Sequence, residues 1–433
     1  MRYSITGSNE QEVKGNGGKN ISVQDVFGIV FADMTPNQAQ TLSTKPGVTV
    51  TQVKSVQIPG TGVPRSIPAS ASESLTPDVL LERINMKAIM ELAGGALDGS
   101  GTVTAVIDTG IRKTHQRMGD MVVYEKNFSS ATGTNDGFNH GTGVADIIRA
   151  FAPATKLINL KVLDDHGAGT EEQVVNALAE CIRLIEQDSE FKPDVINMSL
   201  GSPDDGNPNN PIRIACRKLV TQYNVLICAA AGNNGPTEGT ILCPASEPLV
   251  FAVGACELPN LTLCDFSSRG PTKEGITKPD FLQVGKDFLV ASSVSDTAQR
   301  AVSGTSFSTP TITGILPLFK QGISMGRGIS SSLSAVVPGA QAMSGLTFDQ
   351  VSMFFALGCR KPGEEIPLGS TSVKDNNYGY GSPLGPVLAQ MYTLATGGSQ
   401  VIMTLMFEGM MSLMMTIMVL TMMFKLMIKQ MTK

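Results

Sequence analysis

GTVTAVIDTGI, Gly101 to Ile111, is the stretch whose reading decides the fold. Its apolar run is short and nearly continuous, and it closes on Asp108, Thr109 and Gly110. A run of this kind, bounded by a glycine turn, reads as a strand buried on both faces rather than as a half-exposed one. The same pattern recurs outward along the chain. It appears in ATKLINLKVL (Ala154 to Leu163), PDVINMSLG (Pro193 to Gly201), NVLICAAAG (Asn224 to Gly232) and PLVFAVGAC (Pro248 to Cys256). Between them, TEEQVVNALAECIRLIEQ (Thr170 to Gln187) has helical spacing, with Thr170 as its cap. Buried strands alternating with helices imply an α/β fold with a mainly parallel sheet flanked by helices on both faces. In such sheets, sites gather where strands end.

The rest of the chain falls into appendages around this body. Residues 1–20 are polar and rich in Gly and Asn, and are expected to form a disordered arm. Residues 21–60 read as a compact α+β unit: a strand in DVFGIVFADM, a short helix in TPNQAQTLST, and one or two strands in GVTVTQVKSVQI. Residues 61–78, rich in Pro, Gly and Ser, read as a linker open to cleavage. The α/β body is expected over 79–395. The segment 396–433 is a Met-rich hydrophobic tail whose uncharged core is shorter than the ~20 residues that span a bilayer. Its expected role is membrane contact through 401–428, with a helix docked on the body or on a partner as the alternative.

Composition excludes some classes of function. The 433 residues carry a net charge of −5 and no Trp, so a nucleic-acid surface is not expected. The seven cysteines form no CxxC pair, which argues against a zinc site and for reduced, buried thiols. The first twenty residues hold no apolar signal core. The expected setting is therefore intracellular, with membrane association through the tail.

Candidate chemistry sits at the strand and helix ends. Asp108 ends a buried strand, where a carboxylate must be paired or hydrogen-bonded. His140, in FNHGTGVADII, lies at the mouth of an apolar helix beside Gly141 and Gly143. The other two histidines, His115 and His166, fall in polar turns. Asn233 leaves a strand end beside Gly232, where its amide can donate to a developing oxyanion. Ser306, in AVSGTSFSTPTITGILPLF (Ala301 to Phe319), precedes an apolar helix, with Pro310 placed near the first turn. A nucleophilic serine needs a base to accept its proton, and His140 can supply one.

These pieces run in the order Asp, His, Asn, Ser. AVIDTGI, HGTGVA, NMSLG, AAAGNNG and SGTSFSTP together resemble the subtilisin-like serine proteases, from about Leu81 to Leu388. The resemblance implies a serine endopeptidase in which Asp108 orients His140, His140 is base and then acid, and Ser306 is the nucleophile. Asn233 and the Ser306 backbone N–H would form the oxyanion hole. Ser199, Leu200, Gly201, Ala230 and Gly232 would line the substrate cleft. The partners implied are a peptide or protein substrate and the chain's own N-terminal unit. That unit looks like an inhibitory prodomain that docks, assists folding and leaves its linker in the cleft. No cofactor is expected. Calcium is not carried over, because the region after His140 has no readable calcium loop. Gly143 and Asp146 depart from the common pattern, and Ile323 to Leu346 looks like an insertion. A catalytically silent or self-cleaving-only component held at a membrane is the competing reading.

Overall fold

The computed structural model describes residues 1–60, 75–87, 90, 97–324, 347–364 and 371–384. Residues 61–74 of the expected linker, 325–346 of the expected insertion and the whole tail 396–433 lie outside them. Among the described residues, no helix is long and apolar enough to cross a membrane.

An N-terminal unit opens the chain. It holds β1 (Arg2–Thr6), α1 (Glu10–Gly15), β2 (Lys19–Gln24), β3 (Ile29–Asp33), α2 (Pro36–Ser43) and β4 (Thr49–Gln52). The four strands form an antiparallel sheet in the order β2-β3-β1-β4. The expected disordered arm is therefore corrected: residues 1–20 supply β1, α1 and the start of β2. Their polar composition hides two buried positions on one face, Tyr3 and Ile5, and Val13 on the short helix. Strand β3 explains why this sheet does not stand alone. Val30 and Ala32 pack under α1 and α2, while Ile29 and Phe31 join the core of the α/β body. Alternate residues of one strand thus face two cores.

The body follows. The linker's expected end is also corrected, because Leu75 bridges Phe288 and Thr76 caps a helix α3 (Pro77–Arg83). A proline at the first helical position starts a helix as readily as it marks a loop. The sheet contains β6 (Val103–Asp108), β7 (Val122–Asn127), β8 (Lys156–Lys161), β10 (Val195–Met198), β12 (Leu226–Ala230), β14 (Phe251–Glu257) and β16 (Phe281–Val284). These strands run parallel, and β15 (Thr262–Leu263) adds antiparallel to the end of β14. Their spatial order is β7-β8-β6-β10-β12-β14-β16. Chain order reverses at β6, so the crevice beyond β6 and β10 is the topological switch point where α/β sheets place their sites.

Helices cover both faces. On one side lie α3, α4 (Gly141–Phe151), α7 (Thr305–Ser324) and α8 (Phe348–Gly358), which share one apolar core. On the other lie α5 (Glu171–Glu186) and α6 (Pro211–Tyr223), together with Ile29 and Phe31 of the N-terminal unit. Thr170 caps α5 through a capping box with Gln173, as the sequence predicts. Three short strands lie outside the main sheet: β9 (Ala168–Thr170), and the antiparallel pair β11 (Ser202–Pro203) and β13 (Leu242–Cys243). The hairpin of β17 (Phe288–Ala291) and β18 (Gln299–Val302) leads into α7.

Candidate active site

Asp108 is the last residue of β6 and is 1% exposed. Its Oδ1 accepts from the Thr109 backbone N–H at 2.7 Å and faces Nδ1 of His140 at 2.8 Å. The proton of His140 therefore sits on Nδ1, which leaves Nε2 as an acceptor. Nε2 is buried and has no hydrogen-bond partner among the described residues. His140 stands at the N-cap of α4 but does not cap it with its own side chain. Asp136 does that instead, accepting from the backbone N–H groups of Asn139 at 2.8 Å, His140 at 3.1 Å and Thr142 at 2.9 Å. Thr109 ties the two acids together: its hydroxyl donates to Asp136 at 2.7 Å and accepts from the Gly141 N–H at 3.0 Å. Gly141 is required here, because a Cβ would lie 2.2 Å from the Gly110 carbonyl oxygen.

Ser306 is the second residue of α7 and is 1% exposed. The ring of Phe307 packs on His140, with centroids 5.1 Å apart, which brings the start of α7 against the imidazole. Pro310 is the sixth residue of α7, beyond the first turn where the sequence suggested it. It lacks the N–H that would bond to the carbonyl four residues earlier. That carbonyl belongs to Ser306, and the Ser199 hydroxyl donates to it at 2.8 Å. The proline therefore frees a helix carbonyl through which the Ser199 segment is fastened to α7. The Ser306 hydroxyl in turn donates to the Ser199 carbonyl at 3.2 Å.

Asn233 is held from behind. Its Oδ1 accepts from Thr305 N and Thr305 Oγ1, both at 2.9 Å. The amide orientation is thereby fixed, and Nδ2 is turned outward. It donates to the Pro59 carbonyl at 3.0 Å and reaches that of Gly60 at 3.3 Å. Gly304, at φ +150°, lies against this amide, and a Cβ there would sit 3.0 Å from Nδ2.

His140, Ser306, Asn233, Ile58 and Pro59 line one cavity of about 550 Å³. Glu257, Lys286, Asp287 and Arg300 line it as well. Burial lowers the pKa of the Arg300 guanidinium, which lies within electrostatic reach of Asp136 and Asp108.

The five expected cleft residues behave differently. Gly201 exchanges backbone bonds with Gln57, giving N–H at 3.0 Å and accepting at 3.1 Å. Ser199 touches Ser306 as described. Leu200 and Ala230 are fully buried, Leu200 in the core, and neither lines the cavity. The Gly232 N–H donates to Thr305 Oγ1 at 3.2 Å.

The sequence reading missed Asp136 and Thr305. Asp136 lies in a loop whose Asp-Gly pair looks like an ordinary turn, although an acid shortly before a helix start is a capping signal. Thr305 was masked by the serine beside it. His115 is 1% exposed although it lies in a polar turn. Its Nδ1 accepts from Arg117 N at 3.2 Å, so Nε2 carries the proton and donates to the Ala298 carbonyl at 2.9 Å. Asp146, one of the departures, is fully buried and pairs with Arg117 at 2.6 Å and Arg149 at 3.1 Å. It also accepts from the Ala291 N–H at 2.9 Å, tying α4 to β17. Among the described residues, no cluster of three His, Cys, Asp or Glu side chains is placed to hold a metal ion.

Residues 99–335 match the model of a family described as the subtilase family. The chain is similar to serine protease AprX of Bacillus subtilis, with 31% identity over 53% of this chain and 59% of that protein. It is similar to proteinase T of Parengyodontium album, at 32% identity over 50% of this chain and 70% of that protein. Similarity to the membrane-bound transcription factor site-1 protease of Mus musculus is 29%, over 59% of this chain and 23% of that protein. The aligned part of this chain thus spans little more than half the length of AprX.

Proposed function

The chain belongs to the subtilase family, and from that premise we propose that it is a serine endopeptidase made as a self-processing zymogen. The observation that carries this reading is the buried Asp108–His140 bond of 2.8 Å, set against the Ser306 turn in one cavity. Ser306 attacks a peptide carbonyl, and His140 Nε2 takes its proton and later passes it to the leaving amine. Asp108 holds the imidazole in the tautomer that keeps Nε2 free, and stabilises the imidazolium. The oxyanion is met by Asn233 Nδ2 and the backbone N–H of Ser306. An extended peptide pairs with Gly201 as an added strand.

The N-terminal unit acts as inhibitory prodomain. Arg2 grips Glu172 through two bonds, 2.7 and 2.6 Å, and Lys54 N–H donates to Glu171 at 2.9 Å. Glu171 also accepts from Asn210, the cap of α6, so the unit is clasped at the adjoining starts of α5 and α6. The reading assigns no metal or cofactor to the bond-making steps, since Asp108, His140 and Ser306 suffice for acyl transfer. Treatment with EDTA should therefore leave the rate of folded protein unchanged. Intracellular placement and membrane contact through 401–428 complete the reading. Equal membrane recovery of the full chain and a 1–398 form would reject the tail's role.

Hydrolysis of a mixed peptide library by the wild-type chain freed of its cut N-terminal piece, lost in a folded Ser306→Ala variant, is the expected outcome. Equal hydrolysis by both would overturn the assignment of the nucleophile.

A further inference from the structure

The cleft is occupied by the chain's own backbone. Strand β5 (Ser55–Gln57) pairs antiparallel with β9, in the register Ser55 to Thr170, Val56 to Gly169 and Gln57 to Ala168. On its other edge Gln57 bridges Gly201, each residue both giving and accepting a backbone bond. The next residue, Ile58, donates its N–H to the Gly167 carbonyl at 3.3 Å. Residues 55–58 are thus the middle of three strands, with Val56 and Ile58 buried and Ser55 and Gln57 exposed.

This register fixes what comes next. In an antiparallel pair, two steps forward on one strand meet two steps back on the other. If Gln57 faces Gly201, residue 59 faces Ser199. Residue 59 is a proline and offers no N–H to the Ser199 carbonyl. That carbonyl takes the Ser306 hydroxyl instead. The Pro59 carbonyl is the one held by Asn233 Nδ2 at 3.0 Å, against 3.3 Å for Gly60. Pro59 is buried against the cavity that Ser306 and His140 line, and Gly60 is exposed.

Resting on the peptidase reading above, we propose that the bond the chain cuts in itself is Pro59–Gly60. Rotation about the Ser306 Cα–Cβ bond carries its hydroxyl from Ser199 to the open Nε2 of His140. Ser306 Oγ bonds to the Pro59 carbonyl carbon, and His140 takes the hydroxyl proton. The bond to the Gly60 nitrogen breaks, and that nitrogen receives the proton from His140. Water then cleaves the ester, leaving a Pro59 carboxylate, a free Ser306 hydroxyl and a new amino terminus at Gly60. The departed carboxylate remains in the cleft, held by the same β-strand bonds.

The test is intact-mass and N-terminal analysis of the purified full chain and of Ser306→Ala, with Ser306 reactivity measured in parallel by a fluorophosphonate. The expected products are one piece ending at Pro59 and one beginning at Gly60, absent from a Ser306→Ala protein whose thermal melt matches wild type. A second variant, Gln57→Pro, removes one of the two register bonds and should slow cutting roughly fivefold. A cut at any other bond, or an unchanged rate in Gln57→Pro, overturns the assignment. No cut in a chain whose Ser306 is labelled and which hydrolyses added peptide overturns it and leaves the peptidase reading intact. No cut and no labelling overturns both.

Discussion

At the scale of single residues, the site works through fixed directions more than through close charges. Asp108 selects the tautomer of His140, and Thr305 selects the face of the Asn233 amide. Asp108→Asn should lower kcat by about 10⁴-fold, because the wrong imidazole nitrogen would then carry the proton. Asn233→Leu should lower kcat by about 10²–10³-fold with little change in KM, since its amide acts on charge that develops only in the transition state. Thr305→Val removes one of the two bonds orienting that amide and should cost roughly tenfold in kcat. Steady-state kinetics on one peptide substrate check all three. If Thr305→Val changes KM and leaves kcat alone, the orienting role is wrong.

At the scale of elements, helices are started or opened by neighbours that bear on the site. Asp136 caps α4 and holds the backbone of His140, while Pro310 opens α7 to Ser199. The elements also explain the cysteines. All seven are free and buried, and burial pushes their thiols up, Cys228 and Cys264 to about 12. Native protein should therefore show no fast-reacting thiol towards a disulfide reagent at neutral pH, and unfolded protein should show seven. Any rapid modification of the native fold, Cys264 at the cavity wall above all, would contradict this packing. Much of this layer was legible in the sequence. The strands ending at Asp108 and Ala230, the cap Thr170 and the serine helix could be read from periodicity and turns. The order of residues 1–20 could not, because Tyr3, Ile5 and Val13 are too few to signal a core by themselves. They become one only when β3 and α2 cover them. Asp136 and Thr305 stayed hidden for a similar reason, since their partners are distant in sequence or are backbone groups.

At the scale of the molecule, two units are joined by polar clasps and a shared apolar face. Arg2 and Lys54 hold the N-terminal sheet to α5 and α6, and Lys54 also pairs with Asp205 at 2.6 Å. These contacts are partly exposed, so each is of modest strength. Arg2→Ala combined with Lys54→Ala should let the N-terminal piece separate from the body after cutting, seen as a second peak in gel filtration at 0.5 M salt. Co-elution of the double variant would show that the apolar face, the β5 strand bonds and the Lys54 backbone bond to Glu171 suffice. Acid acts on a different clasp. Burial opposes ionisation of Glu180, but bonds from Arg183, Lys126 and Tyr124 outweigh it and hold its carboxyl down to about 2, below the ordinary 4.5. A lowered carboxyl contributes stability above its ordinary pKa and loses it as pH falls towards the folded value. Glu180→Gln should therefore flatten the fall of melting temperature between pH 4.5 and 2. The most direct test of the central claim is covalent labelling with an excess of a fluorophosphonate, mapped by peptide mass spectrometry. One adduct is expected, on Ser306 of protein freed of its cut N-terminal piece, and it should be lost in a folded His140→Ala variant treated alike. An unmodified Ser306 in folded wild-type protein freed of its N-terminal piece, or labelling unaffected by His140→Ala, would contradict the triad.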